Sequence, residues 1–271
     1  MLTFSRLGHY GRLGNQMFQY ASLMGISRNR GFDFGIRYQN SKESVVCNHL
    51  VGHERLDLFD AFDHLSAKDC TEIQQSYTAS ERMHNFDQTF FDEIPDDCDI
   101  LGYFQTEKYF KHCEDEIRKE FRFNDSIQSE SMRNLKNTPK DRTRVSIHIR
   151  RGDYTEIQGF HPLCTLDYYK NALSIVGDEP YPVVFSDDID WCKDNLGLDD
   201  AYYAEGNNQF VDMCMMSKCD SHIMANSTFS WWGAWLNKNP VFVVAPEQWF
   251  GEKLSDKNTD DIYCEGWIKC S

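Results

Sequence analysis

The second half of the chain alternates short apolar runs with amphipathic runs. RVSIHI, YPVVFS, SHIM and PVFVVAP are short and rich in β-branched residues, as buried strands are. The segments LDYYKNALSIV, DIDWCKDNLG, FVDMCMMSKCD and TFSWWGAWLNK, which lie between or beside them, have the apolar spacing of helices. Strands that alternate with helices in this order predict a parallel, Rossmann-like sheet in an α/β fold.

The first half of the chain shows fewer regular segments. Residues 11–31 predict a helix that stops at Gly31 and has a buried face formed by Met17, Tyr20, Ala21 and Met24. A strand, a turn and a helix are expected in the segment 99–123, where Ile117 and Phe121 share one helix face. We expect mainly loops at 41–100, and a domain boundary at 124–143, where the apolar pattern is lost.

Composition restricts the possible partners. The 271 residues contain 28 Lys and Arg against 43 Asp and Glu, so the net charge is −15, whereas nucleic-acid binding requires a basic surface. The sequence has no apolar stretch of the roughly 18 residues that a membrane span needs, and no secretory signal. The ten cysteines form no Cys-x-x-Cys pair, which favours reduced thiols over a disulfide framework or a zinc site. We therefore expect a cytoplasmic protein that binds no nucleic acid.

Three segments at predicted strand ends carry the candidate chemistry. They are HIRRGDY at 148–154, FSDD at 185–188 and ANSTFSWW at 225–232. The carboxyl ends of parallel strands meet at one edge of a sheet, so a single ligand could contact all three. Ser227, Thr228 and Ser230 stand where a strand passes into a helix, and free amides there suit a pyrophosphate. Arg150 could bind the same phosphates through two guanidinium nitrogens.

Simpler interpretations of the same residues stay open. Ser227 or Thr228 could serve only as a helix cap, and Arg150 and Arg151 could be solvated. Asp188 and Asp190 form an Asp-x-Asp pair of the kind that holds a divalent ion on a sugar-nucleotide diphosphate. We do not favour a metal here, because Arg150 and the helix start already supply positive charge.

Several longer motifs together resemble the α-1,2-fucosyltransferase family. They are GRLGNQMFQYA, GYFQTEKYF, SIHIRRGDY, FSDDIDWCKDN and MSKCDSHIMANSTFSWWGAWLN, and they extend in this order from residue 11 to residue 239. The resemblance implies a GT-B-like fold of two facing Rossmann-like lobes with a donor cleft between them. It also implies transfer from GDP-L-fucose with inversion, without a metal or other cofactor.

The resemblance assigns the lobes and the reaction. Residues 1–135 would form a mainly acceptor-side lobe and residues 140–271 the GDP-fucose-binding lobe, with the extreme C-terminus free to pack back on the N-terminal lobe. The expected activity is transfer of fucose to the 2-hydroxyl of a terminal galactose in an oligosaccharide. The alternatives are a fucosyltransferase of another linkage and a non-catalytic nucleotide- or glycan-binding protein of the same fold.

The resemblance also assigns donor-binding roles to individual residues. His148 and Arg150 match the block that holds the nucleotide, with Arg150 at the pyrophosphate. Asn15 and Gln16 match a glycine-rich loop that approaches the donor. The remaining matches to donor-binding blocks are Asp187, Asp188, Asn226, Ser227, Thr228 and Ser230.

The catalytic roles follow from the charges of the reaction. Arg150 would stabilise the departing diphosphate, and a base must take the proton of the acceptor hydroxyl. Asp153 is the first candidate for this base, although it could instead orient Arg150. His161 and Glu156 are the other candidates, and His161 could equally be a structural histidine.

Overall fold

The computed structural model describes residues 1–38, 55–177 and 179–271, and it divides the chain into two α/β units. The first unit comprises Met1–Asn124 and Lys257–Tyr263. The second unit comprises Asp125–Asp256 and Cys264–Ser271. Each unit contains its own parallel sheet.

The first unit builds its sheet from short strands. Its strands and helices are β1 (Leu2–Phe4), α1 (Leu13–Arg30), β2 (Phe34–Ile36), α2 (Leu58–Ala61), β3 (Lys68–Asp69), β4 (Tyr77–Ser80), α3 (Gln88–Glu93), β5 (Cys98–Leu101) and α4 (Glu114–Glu120). The described strands lie in the order β3-β2-β1-β5-β4, and every pairing is parallel. In this register Thr3 of β1 lies beside Asp99 of β5.

Helix α1 forms the centre of the first unit's core. It ends where predicted, because Gly31 adopts the left-handed conformation with φ of 70° and caps the last turn. Gly25 in the middle of the helix has a packing reason: a Cβ at this position would lie 2.1 Å from the Tyr109 carbonyl oxygen. The predicted helix face of Ile117 and Phe121 is also confirmed, since both side chains are buried.

The second unit contains the longer and more regular elements. They are α5 (Asp125–Leu135), β6 (Arg144–Ile149), α6 (Leu166–Val176), β7 (Tyr181–Ser186), α7 (Ile189–Asn195), β8 (Tyr202–Tyr203), α8 (Gln209–Met216), β9 (Ser221–Ile223), α9 (Thr228–Trp235), β10 (Val243–Pro246) and β11 (Ile268–Cys270). Their described strands lie in the order β11-β10-β9-β6-β7-β8, again with parallel pairings throughout. The strands and helices predicted between residues 144 and 246 are therefore confirmed.

The boundary between the two units falls after Asn124, at the start of the predicted boundary segment 124–143. The segment expected to be an irregular boundary within 124–143 contains α5, which belongs to the second unit rather than to a first lobe of residues 1–135. Ser131 donates a hydrogen bond to the Val211 carbonyl on α8 at 3.2 Å. The residues that join the first unit from the end of the chain are Lys257–Tyr263, while β11, nearer the C-terminus, pairs with β10 in the second unit.

Residues 55–100 contain more structure than expected. Where the sequence indicated mainly loops, the chain forms α2, β3, β4 and α3. Residues 41–54 of the same expectation lie outside the described part of the chain. Among the described residues, no helix combines the length and apolarity that crossing a bilayer requires. The cysteines in this part carry free thiols, and Cys47 lies outside it.

A buried histidine joins two strands of the second sheet to the end of α9. His222 Nδ1 lies 2.8 Å from Ser146 Oγ, and its Nε2 lies 3.1 Å from the Asn237 amide nitrogen. The amide nitrogen can only donate, so Nε2 accepts and Nδ1 carries the proton. Burial lowers the pKa of His222 to about 3, and the neutral ring is the form that this network requires.

Acid is therefore expected to weaken the second unit through His222. Between pH 6.5 and pH 3 the unfolded chain binds a proton at this site that the folded chain does not, so stability falls as the pH decreases. We expect the variant His222→Gln to be less stable than wild type at neutral pH. The difference in the free energy of unfolding between wild type and this variant should decrease by up to about 1.4 kcal/mol per pH unit below pH 6, as measured by urea unfolding.

The control is His64→Gln, because His64 is exposed. As a substitution on the surface, it should change the free energy of unfolding by no more than about 0.5 kcal/mol. A constant difference between wild type and His222→Gln over the same pH range would contradict the role assigned to the neutral ring.

Candidate strand-end site

The three segments selected from the sequence meet at one edge of the second sheet. Strand β6 lies between β9 and β7, and all three run parallel, so their carboxyl ends open at the same edge. The chain runs from β6 to β7 and β8 on one side and returns to β9 on the other. The loop after β6 therefore lies at the switch point, where open α/β sheets bind ligands.

Arg150, the first residue after β6, is held between two carboxylates. One guanidinium nitrogen pairs with Asp153 and the other lies 2.5 Å from Asp187 Oδ2. The guanidinium also lies 5.4 Å from the centre of the Tyr154 ring. Because Arg150 is largely buried, these contacts fix its direction and compensate its charge.

Asp187 fastens the end of β7 to the loop after β6. Its Oδ1 accepts hydrogen bonds from the backbone amides of Arg151 at 2.9 Å and Gly152 at 3.2 Å. A Cβ at Gly152 would lie 2.5 Å from Asp187 Oδ2, so this close approach requires glycine. Two amides and a guanidinium around one carboxylate form an anion-binding arrangement that the protein's own side chain occupies.

Arg151 and Asp188 have structural roles beside this arrangement. Asp188 accepts a hydrogen bond from the Trp191 amide at the start of α7, and it pairs with Arg151 Nε at 3.0 Å. The Arg151 guanidinium lies 3.8 Å from the centre of the Trp191 ring. Arg151 is therefore a packed residue, contrary to the interpretation that it is solvated.

The start of α9 forms the other side of the site. Ser227 caps the helix, because its Oγ accepts a hydrogen bond from the Phe229 amide. The Ser230 hydroxyl donates within the same turn, to the carbonyls of Ala225 and Ser227. Thr228 is the first residue of the helix and is partly exposed. The cap interpretation of Ser227 is thus confirmed, and it leaves the amide end of the helix directed toward the same edge of the sheet.

His148 connects β6 with the first turn of α9. Its ring lies 5.5 Å from the Phe229 ring, and the residue is buried. Within the described part of the chain, its Nδ1 is buried without a hydrogen-bond partner. Burial, followed by the charge of Arg150, lowers the pKa of His148 to about 3, so the ring is neutral.

Asn226 braces the loops around the site. Its amide nitrogen donates to the carbonyls of Pro162 at 3.0 Å and Trp249 at 3.1 Å. Its Oδ1 lies 3.6 Å from Cys164 Sγ, and its own carbonyl accepts from Tyr154 Oη at 3.2 Å. With 2% of its surface exposed, Asn226 acts on loop positions, and its predicted contact with a donor stays a prediction.

The three candidate bases differ in their surroundings. The carboxylate of Asp153 is engaged by Arg150. His161 stacks on Tyr154, with ring centres 4.9 Å apart, and burial lowers its pKa. Its Nδ1 is buried and has no hydrogen-bond partner among the described residues. Glu156 is exposed.

Asn15 and Gln16 lie in the first unit, at the start of α1. Gln16 is fully buried, and its amide nitrogen donates to the Arg55 carbonyl at 2.8 Å while its oxygen accepts from the Asp57 amide at 2.8 Å. Asn15 Oδ1 accepts from Gln105 Nε2 at 2.9 Å. Gln16 thus holds two loops together, and the predicted approach of both residues to a donor stays a prediction.

The second unit therefore brings together most of the residues selected from the sequence, which are His148, Arg150, Asp153, His161, Asp187, Asp188, Asn226, Ser227, Thr228 and Ser230. Tyr154 and Trp191 were missed as supporting residues, although both stand inside the motifs HIRRGDY and FSDDIDW. An aromatic residue beside an arginine in a strand-end motif is the signal that would have indicated them. No cluster of three His, Cys, Asp or Glu side chains suited to a metal occurs in residues 1–38, 55–177 or 179–271.

The fold is of the α/β, GT-B-like class. A solved structure of POFUT1 in complex with GDP-fucose superposes with a TM-score of 0.59 at 10% sequence identity, and the match covers 90% of this chain and 97% of the other. At this identity the likeness shows the fold alone. It confirms the α/β, GT-B-like architecture predicted from the motifs.

The chain belongs to glycosyl transferase family 11, whose sequence model matches residues 6–271. An Escherichia coli protein named alpha-1,2-colitosyltransferase is 30% identical over 96% of this chain and 96% of its own length. Galactoside alpha-(1,2)-fucosyltransferase 1 of Bos taurus is 25% identical over 87% of this chain and 67% of its own length. The predicted membership of the α-1,2-fucosyltransferase family is confirmed.

The bracing role of Asn226 can be tested by Asn226→Asp. The substitution replaces an amide that donates to two carbonyls with a carboxylate that repels them in a buried position. We expect the free energy of unfolding to fall by about 2–4 kcal/mol at pH 7, measured by denaturant titration.

Asn239→Asp provides the matched control, because Asn239 is exposed and the chemical change is the same. Its effect should stay within about 0.5 kcal/mol. An equally small effect of Asn226→Asp would show that the two hydrogen bonds do not hold the loops.

Proposed function

We propose that this protein transfers L-fucose from GDP-β-L-fucose to the 2-hydroxyl of a terminal galactose in a glycan, with inversion and formation of an α-1,2 linkage. One observation carries the proposal: Arg150 follows β6, the amide end of α9 follows β9, and these two strands are neighbours in the sheet. The chain that holds this arrangement belongs to glycosyl transferase family 11. Two relatives bear α-1,2-transferase names, and the POFUT1 structure holds GDP-fucose. These names support the linkage and the donor.

The donor's diphosphate would bind between Arg150 and α9. A helix start offers backbone amides and a partial positive charge to an anion. Within the described part of the chain, no hydrogen bond is recorded for the backbone amides of Thr228 and Ser230. The buried Nδ1 of His148, beside Phe229, provides one further group that a ligand would satisfy.

The reaction breaks the bond between the fucose anomeric carbon and a diphosphate oxygen and forms a bond from that carbon to the galactose O2. The electron pair of the broken bond leaves with GDP, so negative charge grows on the diphosphate. Arg150 and the helix amides would stabilise this charge as it develops. The hydroxyl proton passes to a base on the opposite face of the sugar, because inversion requires attack opposite the leaving group.

This geometry favours a positioning role for Asp153. A carboxylate paired with the arginine that holds the diphosphate lies on the leaving-group side, whereas the base must lie on the acceptor side. We therefore assign Asp153 to the orientation of Arg150 and retain His161 and Glu156 as candidates for the base. The lowered pKa of His161 keeps its ring unprotonated at neutral pH, as a base requires.

Transfer of colitose is the second candidate function. The identity to the colitosyltransferase extends over almost the whole of both chains. Colitose is L-fucose without its 3-hydroxyl, so the two donors differ by a single hydroxyl that a polar group must recognise. GDP-fucose and GDP-colitose offered at equal concentration would distinguish the two functions by the ratio of kcat/KM.

The purified protein should release GDP from GDP-fucose in the presence of lactose, and NMR of the product should show an α-1,2 linkage. Arg150→Ala should lower kcat by about 10²–10³-fold, because it removes a group that stabilises the leaving diphosphate. Asp153→Asn should lower kcat while GDP still binds. Full activity in excess EDTA would support the predicted independence of a metal.

Two outcomes would favour the alternatives. No GDP release from any GDP-sugar, with GDP still bound, would favour the non-catalytic binding protein. A product with another linkage would be consistent with the donor site and would reject the α-1,2 assignment.

The candidate bases are separated by the variants His161→Gln and Glu156→Gln. For each variant, kcat is measured as a function of pH. Only loss of the base removes the acidic limb of this profile.

Asp187 is expected to compete with the donor's diphosphate for Arg150. Asp187→Asn keeps an oxygen for the amides of Arg151 and Gly152 and removes one negative charge. We expect GDP to bind about two- to tenfold more tightly to this variant at low ionic strength, measured by isothermal titration calorimetry.

The increase in GDP affinity should become smaller as salt is added, because salt screens the interaction between charges. Asp194→Asn is the matched control, because it makes the same charge change on α7 away from Arg150 and should leave GDP affinity unchanged. Weaker GDP binding by Asp187→Asn would show that this carboxylate supports the donor instead of competing with it.

A further inference from the structure

A polar cavity of about 470 Å³ lies at the carboxyl edge of the first unit's sheet. Its walls come from four neighbouring strands and the loops that follow them, with Ser5 after β1, Arg37 after β2, Thr78 on β4 and Asp99 on β5. The chain proceeds from β1 to β2 and β3 on one side and returns through β4 and β5 on the other. The cavity thus lies at the switch point of this sheet, and its volume is within the range of ligand pockets.

The carboxylate of Asp99 is fixed on one wall of the cavity by uncharged donors. It accepts hydrogen bonds from Thr3 Oγ1 at 2.8 Å, from the Ser5 amide at 2.7 Å and from Ser5 Oγ at 2.6 Å. These three contacts orient the carboxylate without an arginine. Its remaining lone pairs are suited to accept hydrogen bonds from ligand hydroxyls.

Two arginines on the same cavity have no carboxylate partner among the described residues. Arg37 Nε is buried without a hydrogen-bond partner there, and Arg6 donates to Tyr10 Oη at 2.8 Å. By contrast, carboxylate partners are recorded for Arg28, Arg55, Arg82, Arg118, Arg142, Arg144, Arg150 and Arg151. In a chain with a net charge of −15, two arginines that line one cavity without a carboxylate partner indicate a site for an anion.

We infer that this cavity binds an acidic sugar, with Arg37 and Arg6 on its anionic group and Asp99 on its hydroxyls. Both kinds of polar group are needed, since an anion such as sulfate has no hydroxyls for Asp99 and a neutral sugar does not satisfy two guanidinium groups. The anionic group is either a carboxylate or a phosphate ester, and both present oxygens that a guanidinium binds in pairs. That this sugar is part of the acceptor glycan rests on the proposed function, while its binding to the cavity does not.

The binding test uses the full-length protein without a donor. Glucuronic acid, glucose 6-phosphate and glucose serve as probes at constant ionic strength, with binding followed by NMR titration. At least one acidic probe should bind at least tenfold more tightly than glucose, and the tighter of the two identifies the anion. Arg37→Gln should weaken binding of that probe about tenfold, and Arg6→Gln should weaken it in the same direction.

Arg28→Gln is the matched control, because it removes the same charge from the first unit outside the cavity. The inference is overturned if the acidic probes bind no better than glucose, or if Arg28→Gln weakens binding as much as Arg37→Gln. Arg6 is exposed, so its variant is expected to fold even if Arg37→Gln does not. Equal binding of inorganic phosphate and glucose 6-phosphate would overturn the sugar part of the inference.

A second measurement separates this inference from the proposed function. GDP release from GDP-fucose is compared for lactose and for a lactose-terminated acceptor that carries glucuronic acid, or the phosphate ester if that probe bound better. The acidic acceptor should have a KM at least tenfold lower, and Arg37→Gln should remove the advantage without changing kcat. Probe binding that depends on Arg37, without GDP release from any acceptor, would refute the proposed function and leave the cavity site standing. Turnover with equal KM values would refute the acceptor assignment alone.

Discussion

Parallel pairing of the strands is the constraint on which both units depend. A parallel strand cannot turn directly into its neighbour, so each one leaves the sheet into a loop at the same edge and returns by a crossover. In the second unit this brings Arg150, Asp187 and Ser227 together, although they are far apart in the sequence. In the first unit the same rule brings Ser5, Arg37 and Asp99 to one cavity. The hydrogen-bonding pattern of the backbone therefore decides which side chains can act together.

The centre of the second sheet was predictable because β6 and β7, with six residues each, are long enough to show a pattern. Strand β6 places five of its six residues in the interior, and β7 does the same. In the first unit the strands have two to four residues, and β4 is exposed along most of its length, so no apolar period identifies it. Helix α5 was not predicted from the sequence for a related reason. Its buried stripe consists of Ile127, Ser131 and Leu135, and the central member is polar.

The sequence identified the residues of the strand-end site better than it identified their roles. Position on a strand end follows from the order of elements, but hydrogen-bond partners depend on how distant loops pack. Gln16 satisfies backbone groups of Arg55 and Asp57, some forty residues away, and Asn226 bridges to Pro162 and Trp249. An amide side chain can bind a ligand or brace a loop with the same atoms. Only the packed structure distinguishes the two, and for these residues it records bracing contacts.

The arginines of the two candidate sites differ in whether a carboxylate of the protein pairs with them, and this difference affects how strongly each site would bind an anion. Arg150 is paired with Asp153 and Asp187, so an arriving diphosphate would exchange one anion for another and gain only part of the full Coulomb energy. Such an exchange limits the affinity of the site for GDP-fucose before transfer and for GDP after it. A limited affinity for GDP favours product release. Arg37 and Arg6 lack a carboxylate partner in the described part of the chain, so an anion in their cavity would not have to displace a carboxylate. The proposed reaction thus places weak, exchangeable binding at the leaving group and stronger discrimination at the cavity, where specificity for one acceptor would be set.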